Sequence, residues 1–182
     1  LDNKTHRSVG QLHYLVEFEI IPGFVVKQEV MTATAWAYSK DLLVTAAHVC
    51  SSAQEIGVNM RSPAVFNMTY IDENDERKEL EDIKILTMDV VTDTCILFSN
   101  DHSLIPLEME EDFDKNVRIG THLTITGAPM GIFPVTKHCW VVSKDSYELE
   151  DPFLVDRLTT SCEVLPGFSG SPLLSNNNKV VG

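Results

Sequence analysis

Short apolar runs rich in β-branched and aromatic residues recur along the chain, about a dozen residues apart. Many alternate apolar and polar positions, which is the period-2 pattern of a half-buried strand. The predicted strands are QLHYLVEFEI (11–20), TATAWAYS (32–39), LLVTAA (42–47), DIKILTMDVV (82–91), CILFS (95–99), THLTITGAP (121–129), PVTKHCWVVS (134–143), PFLVDRLTTSC (152–162), SPLLS (171–175) and KVVG (179–182). Helical patterns are limited to short turns near residue 50 and at 110–116.

The strand runs fall into two series, which an acidic, polar stretch at 101–116 divides. Neither series contains a solenoid-type repeat or a low-complexity segment. Many short strands separated by turn residues predict an all-β protein, built as two small antiparallel barrels or sandwiches joined by a connector. We place the boundary near residue 105, which gives an N-terminal barrel of residues 1–105 and a C-terminal barrel of residues 106–182.

The composition indicates a globular chain with an acidic surface. Hydrophobic residues make up 43% of the 182 residues, which suffices for a core. No apolar run reaches the roughly 18 residues that a membrane span requires. The formal charge of -13 argues against nucleic acid or an anionic membrane as a partner, since both bind cationic surfaces. The acidic stretches 71–82 and 107–114 are interpreted as solvated loops, or as a field that attracts basic substrates.

Four cysteines, Cys50, Cys95, Cys139 and Cys162, lack the spacing of a metal site, so we predict no metal. Cys95 lies inside the apolar run TCILF, which favours a buried thiol that packs as a small hydrophobe. We expect no disulfide framework. The pair Cys139–Cys162 stays open, because both residues fall on predicted strands of the same half. The cysteine count does not assign a cellular compartment.

Three segments, LVTAAHVCSS, VVTDTCILFS and LPGFSGSPLLS, supply His48, Asp93 and Ser169 in that order. A serine hydroxyl is a poor nucleophile until a base takes its proton, and an imidazole can act as that base. A carboxylate can then hold the imidazole in one tautomer and stabilise its cation. The Gly-Phe-Ser-Gly corner can aim the backbone N–H groups of Gly167 and Ser169 at an oxyanion.

The chain resembles the chymotrypsin-like serine proteases, above all their HtrA/Deg, glutamyl-endopeptidase and viral branches. The segments that carry the resemblance stand in the family's order: TAAHV (45–49), TDTCIL (92–97), GAPMG (127–131), PGFSGSPLL (166–174) and KVVG (179–182). The resemblance implies a double β-barrel serine endopeptidase with His48 as the base, Asp93 as the orienting acid and Ser169 as the nucleophile. It also implies a polypeptide substrate and no cofactor, and it is compatible with an oligomer.

Two of these candidates have competitors nearby in the sequence. Asp89 precedes Asp93, but the resemblance places the acid directly before a buried strand, as in TDTCIL. Ser161 and Ser171 compete with Ser169. Ser171 precedes a proline, at a position where the family commonly has Gly or Ser, so we expect a structural role for it. The other histidines have no comparable motif and are interpreted as surface or structural residues.

The chain also departs from the family pattern. Phe168 stands where the family often has Asp or Asn, which argues against activation by a newly cut N-terminus, and some plant-virus relatives carry an aromatic residue there. The chain stops at Gly182, about where the family continues into a last strand and a helix, so we expect a truncated second barrel. Glu163 precedes Ser169 at the position where trypsin-like enzymes place the acid of their pocket. We hypothesise that Glu163 favours a basic side chain at the cleaved residue.

Two further functions fit the same residues. One is a non-catalytic relative that uses the cleft to hold peptides. The other is a self-processing viral or virion protease domain that acts in cis on its own precursor.

Overall fold

The computed structural model describes residues 5–100, 103–148 and 154–182, and side chains in all of these ranges except 146–148 and 154–156. The strands are β1 (Val9–Ile21), β2 (Phe24–Ala37), β3 (Leu42–Thr45), β4 (Val65–Ile71), β5 (Arg77–Asp89), β6 (Thr94–Phe98), β7 (His122–Gly127), β8 (Val135–Glu148), β9 (Leu154–Thr160) and β10 (Leu173–Leu174). The helices are α1 (Ala47–Met60) and α2 (Phe113–Asn116), and 3₁₀ turns lie at Thr5–Ser8 and Pro129–Gly131. The predicted strand 152–162 begins outside the described residues, and its described part contains β9.

The first six strands close into an antiparallel barrel in the order β1-β2-β3-β6-β5-β4. A tight turn at Pro22-Gly23 joins β1 to β2, and Gly23 supplies the positive φ of +84° that this turn uses. The sequence prediction lacks β4, although Phe66, Met68 and Tyr70 alternate along it and are buried in the barrel. The polar residues between them hide this short strand in a search for apolar runs.

Helix α1 is fourteen residues long, so the prediction of a short turn near residue 50 is wrong in length. Its buried residues include Ala47, Cys50, Ala53 and Gly57, which recur at helical spacing on the face that packs against the barrel. Apart from Val49 and the partly buried Ile56, this face is built from small residues, and it is therefore a weak hydrophobic signal in the sequence. The helix ends where Arg61 adopts a left-handed conformation and its N–H donates to the carbonyls of the last turn.

The second half forms an open, four-stranded antiparallel sheet in the order β10-β7-β8-β9. The predicted all-β class with two antiparallel β-units is therefore confirmed, with the first unit ring-like and the second open.

The predicted strand 179–182 is not a regular strand. Val180 instead forms isolated bridges to Leu174 and Met109, and the Lys179 ammonium lies 2.6 Å from the Glu108 carboxylate. The hydrogen bond from Lys179 lowers the pKa of Glu108 below its ordinary value.

A shared apolar cluster joins the barrel to the open sheet. Its buried members are Val9, Trp36, Val44, Leu107, Ala128, Phe133, Leu174 and Val180. The barrel contributes the first three of these residues, and the connector and the second half contribute the rest. Burial of the apolar surface of these residues stabilises the contact between the halves by about 25 cal/mol for each Å² removed from water. The predicted boundary at residue 105 itself stays a prediction.

The prediction of no disulfide framework is wrong, because the structure contains two disulfides. Cys50 on α1 is bonded to Cys95 on β6, with their Cα atoms 6.6 Å apart. Cys95 is therefore buried but is not a free thiol. Cys139 on β8 is bonded to Cys162, with their Cα atoms 4.9 Å apart, which is the pair that the sequence left open. The first pairing depends on how α1 packs against the barrel, and sequence spacing carries no record of that packing.

Candidate active site

Three loops or helix ends bring the motif residues together where the two halves of the chain meet. His48 lies in the first turn of α1, and Asp93 lies in the turn between β5 and β6. Ser169 lies in the loop between β9 and β10. The structure thus brings together all three residues of the motifs, from both halves of the sequence.

His48 lies between the other two side chains. Its Nδ1 is 2.8 Å from Asp93 Oδ2, and its Nε2 is 2.8 Å from Ser169 Oγ. A carboxylate can only accept, so Nδ1 carries the proton of the neutral imidazole in this arrangement. The lone pair on Nε2 then faces the Ser169 hydroxyl, which donates to it.

Asp93 is fixed to the start of α1 by its backbone as well as by its side chain. The Ala47 N–H donates to the Asp93 carbonyl at 3.1 Å, and the His48 N–H donates to Asp93 Oδ1 at 2.9 Å. A carboxylate at a helix N-terminus accepts free N–H groups and complements the helix dipole. The competing residue Asp89, at the start of the same turn, instead accepts from the Val91 N–H and the Thr92 hydroxyl.

The loop before Ser169 contains a turn with a left-handed glycine. The Phe168 N–H donates to the Leu165 carbonyl at 3.1 Å, and Gly167, the third residue of this turn, has φ +99°. A positive φ at this position is the mark of a type II turn. The Pro166 carbonyl accepts from the Met130 N–H at 2.7 Å. Because carbonyl and N–H point in opposite directions across a trans peptide, the Gly167 N–H points away from Met130.

The peptide between Phe168 and Ser169 is held in a similar way. The Ser171 N–H donates to the Phe168 carbonyl at 2.9 Å, so the Ser169 N–H points away from Ser171. The backbone hydrogen bonds of turns, loops and helix caps in the described ranges include none that the Gly167 N–H or the Ser169 N–H donates. Both groups are therefore available to an added acceptor.

The competing serines lie elsewhere. The Ser161 hydroxyl accepts from the Trp140 N–H at 2.9 Å. The Ser171 hydroxyl is buried and has no hydrogen-bond partner in the described part of the chain. It lies so close to Gly127 that a Cβ there would overlap it.

We expect Ser171→Ala to keep the fold and to raise the free energy of unfolding by up to about 1 kcal/mol, because it removes a buried hydroxyl that lacks a partner. Urea unfolding of the two proteins side by side measures this difference. A loss of more than about 1 kcal/mol would show that the hydroxyl has a partner in solution.

Phe168 and Glu163 both precede Ser169 in the sequence, but they differ in their exposure to solvent. Phe168 is buried, and the Lys137 ammonium lies 5.7 Å from the centre of its ring. The Glu163 side chain is 82% exposed, and its carboxylate lies 4.0 Å from the same ammonium. The idea that Glu163 favours a basic side chain in the substrate stays a prediction, and Lys137 is a cation that already competes for that carboxylate.

Sequence reasoning missed one feature that adjoins the candidate site. The disulfide partners Cys50 and Cys95 stand two residues after His48 and two residues after Asp93. The disulfide therefore links the two segments that carry the imidazole and the carboxylate. Their equal spacing from the motif residues was visible in the sequence, but it carries no meaning until both motifs are placed in one fold.

Of the helices in the described ranges, none combines the length and the apolar composition that a membrane span requires. The structure is similar to the crystal structure of Deg5, with a TM-score of 0.72 and 18% identity over 100% of this chain and 85% of that one. It is also similar to the active form of the Rv3671c protease from M. tuberculosis, with a TM-score of 0.66 and 22% identity over 98% and 69%. An inactive form of Rv3671c gives a TM-score of 0.67 and 20% identity over 98% and 77%. These likenesses show the fold.

No curated protein matches the chain. A family model described as "Trypsin-like peptidase domain" matches residues 23–182, which is most of the sequence. The resemblance that the motifs carry is thereby confirmed, and the chain belongs to the trypsin-like peptidase family.

Proposed function

We propose that this chain is a serine endopeptidase with Ser169 as the nucleophile, His48 as the general base and Asp93 as the residue that orients the imidazole. The observation that carries the proposal is the continuous hydrogen-bonded line from the Asp93 carboxylate through His48 to Ser169 Oγ, with 2.8 Å at both links. These distances lie within the reach that nucleophile activation by a base requires.

In the first half of the reaction, Ser169 Oγ attacks the carbonyl carbon of the scissile peptide bond and its proton passes to His48 Nε2. The resulting imidazolium is stabilised by the Asp93 carboxylate on the other ring nitrogen. When the tetrahedral intermediate collapses, the C–N bond breaks and the leaving amine takes the proton from His48 Nε2. The acyl group remains on Ser169 as an ester.

The tetrahedral intermediate carries a negative charge on the former carbonyl oxygen. The amides of Gly167 and Ser169 are the donors proposed for this oxyanion, because neighbouring hydrogen bonds hold both N–H groups away from the body of the loop. Donors that are fixed before the reaction cost no reorganisation at the transition state. The positive φ of Gly167 is the conformational basis of this arrangement.

In the second half, a water molecule attacks the ester carbonyl while His48 Nε2 accepts one of its protons. Collapse of this second intermediate breaks the bond to Ser169 Oγ, and His48 returns the proton to that oxygen. The product leaves with a new carboxylate that contains one oxygen from water.

The proposal is tested by incubating the protein with a mixed library of unstructured peptides in ¹⁸O-labelled water. We expect discrete cleavages whose new C-termini carry ¹⁸O. Ser169→Ala and His48→Ala are each expected to lower the rate by at least about 1,000-fold. Ser171→Ala is the matched control, because it removes a hydroxyl from the same loop that does not contact His48, and it should cleave at the wild-type rate.

Two results would contradict the proposal: equal cleavage by wild type and Ser169→Ala, or the absence of cleavage by a folded wild-type chain that nevertheless binds the peptides. The second result would favour the peptide-holding function.

The same library reports the residue before each cleaved bond. Cleavage after Arg or Lys that Glu163→Gln reduces would support the Glu163 hypothesis, and an unchanged profile would end it.

A further inference from the structure

Thr34 on β2 belongs to the barrel, but its hydrogen bonds reach the loops of the second half. The residue is fully buried, and its hydroxyl donates to the Gly167 carbonyl at 2.7 Å. The same oxygen accepts from the Ala128 N–H at 3.1 Å. One hydroxyl thus satisfies two backbone groups from two different loops.

The backbone of Thr34 makes a further contact with the same loop. Its N–H donates to the Ser169 carbonyl at 2.8 Å, and its own carbonyl accepts from the Thr45 hydroxyl at 2.8 Å. Two carbonyls of the serine loop, those of Gly167 and Ser169, are therefore held by one residue of the barrel. We infer that Thr34 is a positioning residue that keeps the oxyanion donors of this loop aimed at the substrate, an inference that rests on the proposed function.

The peptide between Gly167 and Phe168 shows why the hydroxyl matters. Its carbonyl accepts from the Thr34 hydroxyl, and its N–H donates to the Leu165 carbonyl. Hydrogen bonds therefore anchor this peptide at both its carbonyl and its N–H. The preceding peptide is anchored only at its carbonyl, by Met130. Glycine has the widest conformational freedom of any residue, so Gly167 needs both anchors to keep its positive φ. Removal of the Thr34 hydroxyl frees one of them.

Close packing fixes the orientation of the Thr34 side chain. A Cβ on Gly127 would come within 2.8 Å of Thr34 Oγ1, and a Cβ on Gly170 would overlap the Thr34 carbonyl. Thr34 therefore lies between two glycines whose lack of a side chain creates the space for it. A second hydroxyl or a water molecule has little room to replace the lost group, so the Gly167 carbonyl would stay unsatisfied.

The first test is a comparison of Thr34→Val with Thr34→Ser. Valine keeps the shape of the side chain and loses the hydroxyl, whereas serine keeps the hydroxyl. We expect Thr34→Val to lower kcat about 10- to 100-fold with KM within about threefold of wild type, since a misplaced oxyanion donor acts on the transition state. Thr34→Ser should recover most of the lost rate.

Thr126→Val is the matched structural control. Thr126 is also fully buried, and its hydroxyl lies 2.8 Å from the Thr136 hydroxyl on the neighbouring strand. It loses a buried hydroxyl of the same kind but holds no carbonyl of the serine loop. We expect Thr126→Val to lower Tm about as much as Thr34→Val while it keeps the wild-type kcat.

Amide hydrogen exchange provides a readout that does not need activity. We expect the Phe168 amide to exchange at least about tenfold faster in Thr34→Val, because the turn that it closes loses one anchor. It should be unchanged in Thr126→Val. Equal kcat in Thr34→Val and wild type would overturn the positioning role, and so would equal exchange of the Phe168 amide.

The two proposals can fail separately. If the wild type cleaves peptides and Thr34→Val cleaves equally fast, the positioning role is wrong and the proposed function stands. If the folded wild type cleaves nothing, the proposed function is wrong, and the positioning of donors for catalysis falls with it. In that case faster exchange in Thr34→Val would still show that Thr34 holds the loop.

Discussion

Asp93→Asn is expected to lower kcat by about 1,000- to 10,000-fold while the chain stays folded. The substitution keeps an oxygen that can accept from the His48 N–H at the start of α1, so the local structure has no reason to change. It removes the charge that stabilises the imidazolium of His48. It also places an NH₂ group where His48 Nδ1 needs an acceptor, which favours the wrong tautomer of the ring.

Asp89→Asn is the matched control for this experiment. It makes the same change of charge at the start of the same β5–β6 turn, where Asp89 accepts from the Val91 N–H and the Thr92 hydroxyl. We expect its kcat to stay within about twofold of wild type. Steady-state hydrolysis of a cleaved library peptide measures both variants. Equal losses in the two variants would assign the effect to the acidic surface in general and would contradict the role of Asp93.

The double variant Cys50→Ala/Cys95→Ala is expected to lose about 4 kcal/mol of unfolding free energy, the loop-closure estimate for the 45-residue separation of the two cysteines. A typical domain has only about 5–15 kcal/mol in total, so this is a large fraction. Because the disulfide links the segments that carry His48 and Asp93, we also expect a lower kcat at temperatures where the variant is fully folded. Urea unfolding and steady-state kinetics measure the two effects.

The second disulfide provides the comparison. Cys139→Ala/Cys162→Ala removes a bond of 23-residue separation on β8 and the segment after β9. Its expected loss is about 3 kcal/mol by the same loop-closure estimate, and the His48–Asp93 pair should keep its geometry. Unfolding of the Cys50/Cys95 variant at the same urea concentration as wild type would contradict the stabilising role of this disulfide. Equal losses of kcat in both double variants would contradict its role in the geometry of the His48–Asp93 pair.

The residues of the candidate site could be found from the sequence because each sits in a short motif with its own chemistry. His48, Asp93 and Ser169 stand in TAAHV, TDTCIL and GFSGSP, and the fold brings all three together. Most strands could be found as well, because their apolar residues alternate or form short runs. These signals depend only on residues that are close together in the chain, so a single sequence is enough to recognise them.

What the sequence did not reveal depends on contacts between distant segments. The Cys50–Cys95 bond exists because α1 packs small residues against the barrel, and no spacing rule encodes that packing. In the sequence, Thr34 is an ordinary β-branched residue of an alternating strand. Its role becomes visible only in the fold, where it is hydrogen-bonded to Gly167, Ser169 and Ala128. The length of helix α1 is likewise hard to predict, because its buried face consists mostly of small residues, with Val49 as the exception.

We propose that the Gly-Phe-Ser-Gly corner presents an activated nucleophile, and labelling with a fluorophosphonate probe tests this most directly. Intact-mass spectrometry after treatment should show a single adduct, which peptide mapping places on Ser169 and which Ser169→Ala and His48→Ala abolish. Ser171→Ala should label like wild type. An unlabelled, folded wild-type chain, or an adduct that persists in Ser169→Ala, would contradict the claim.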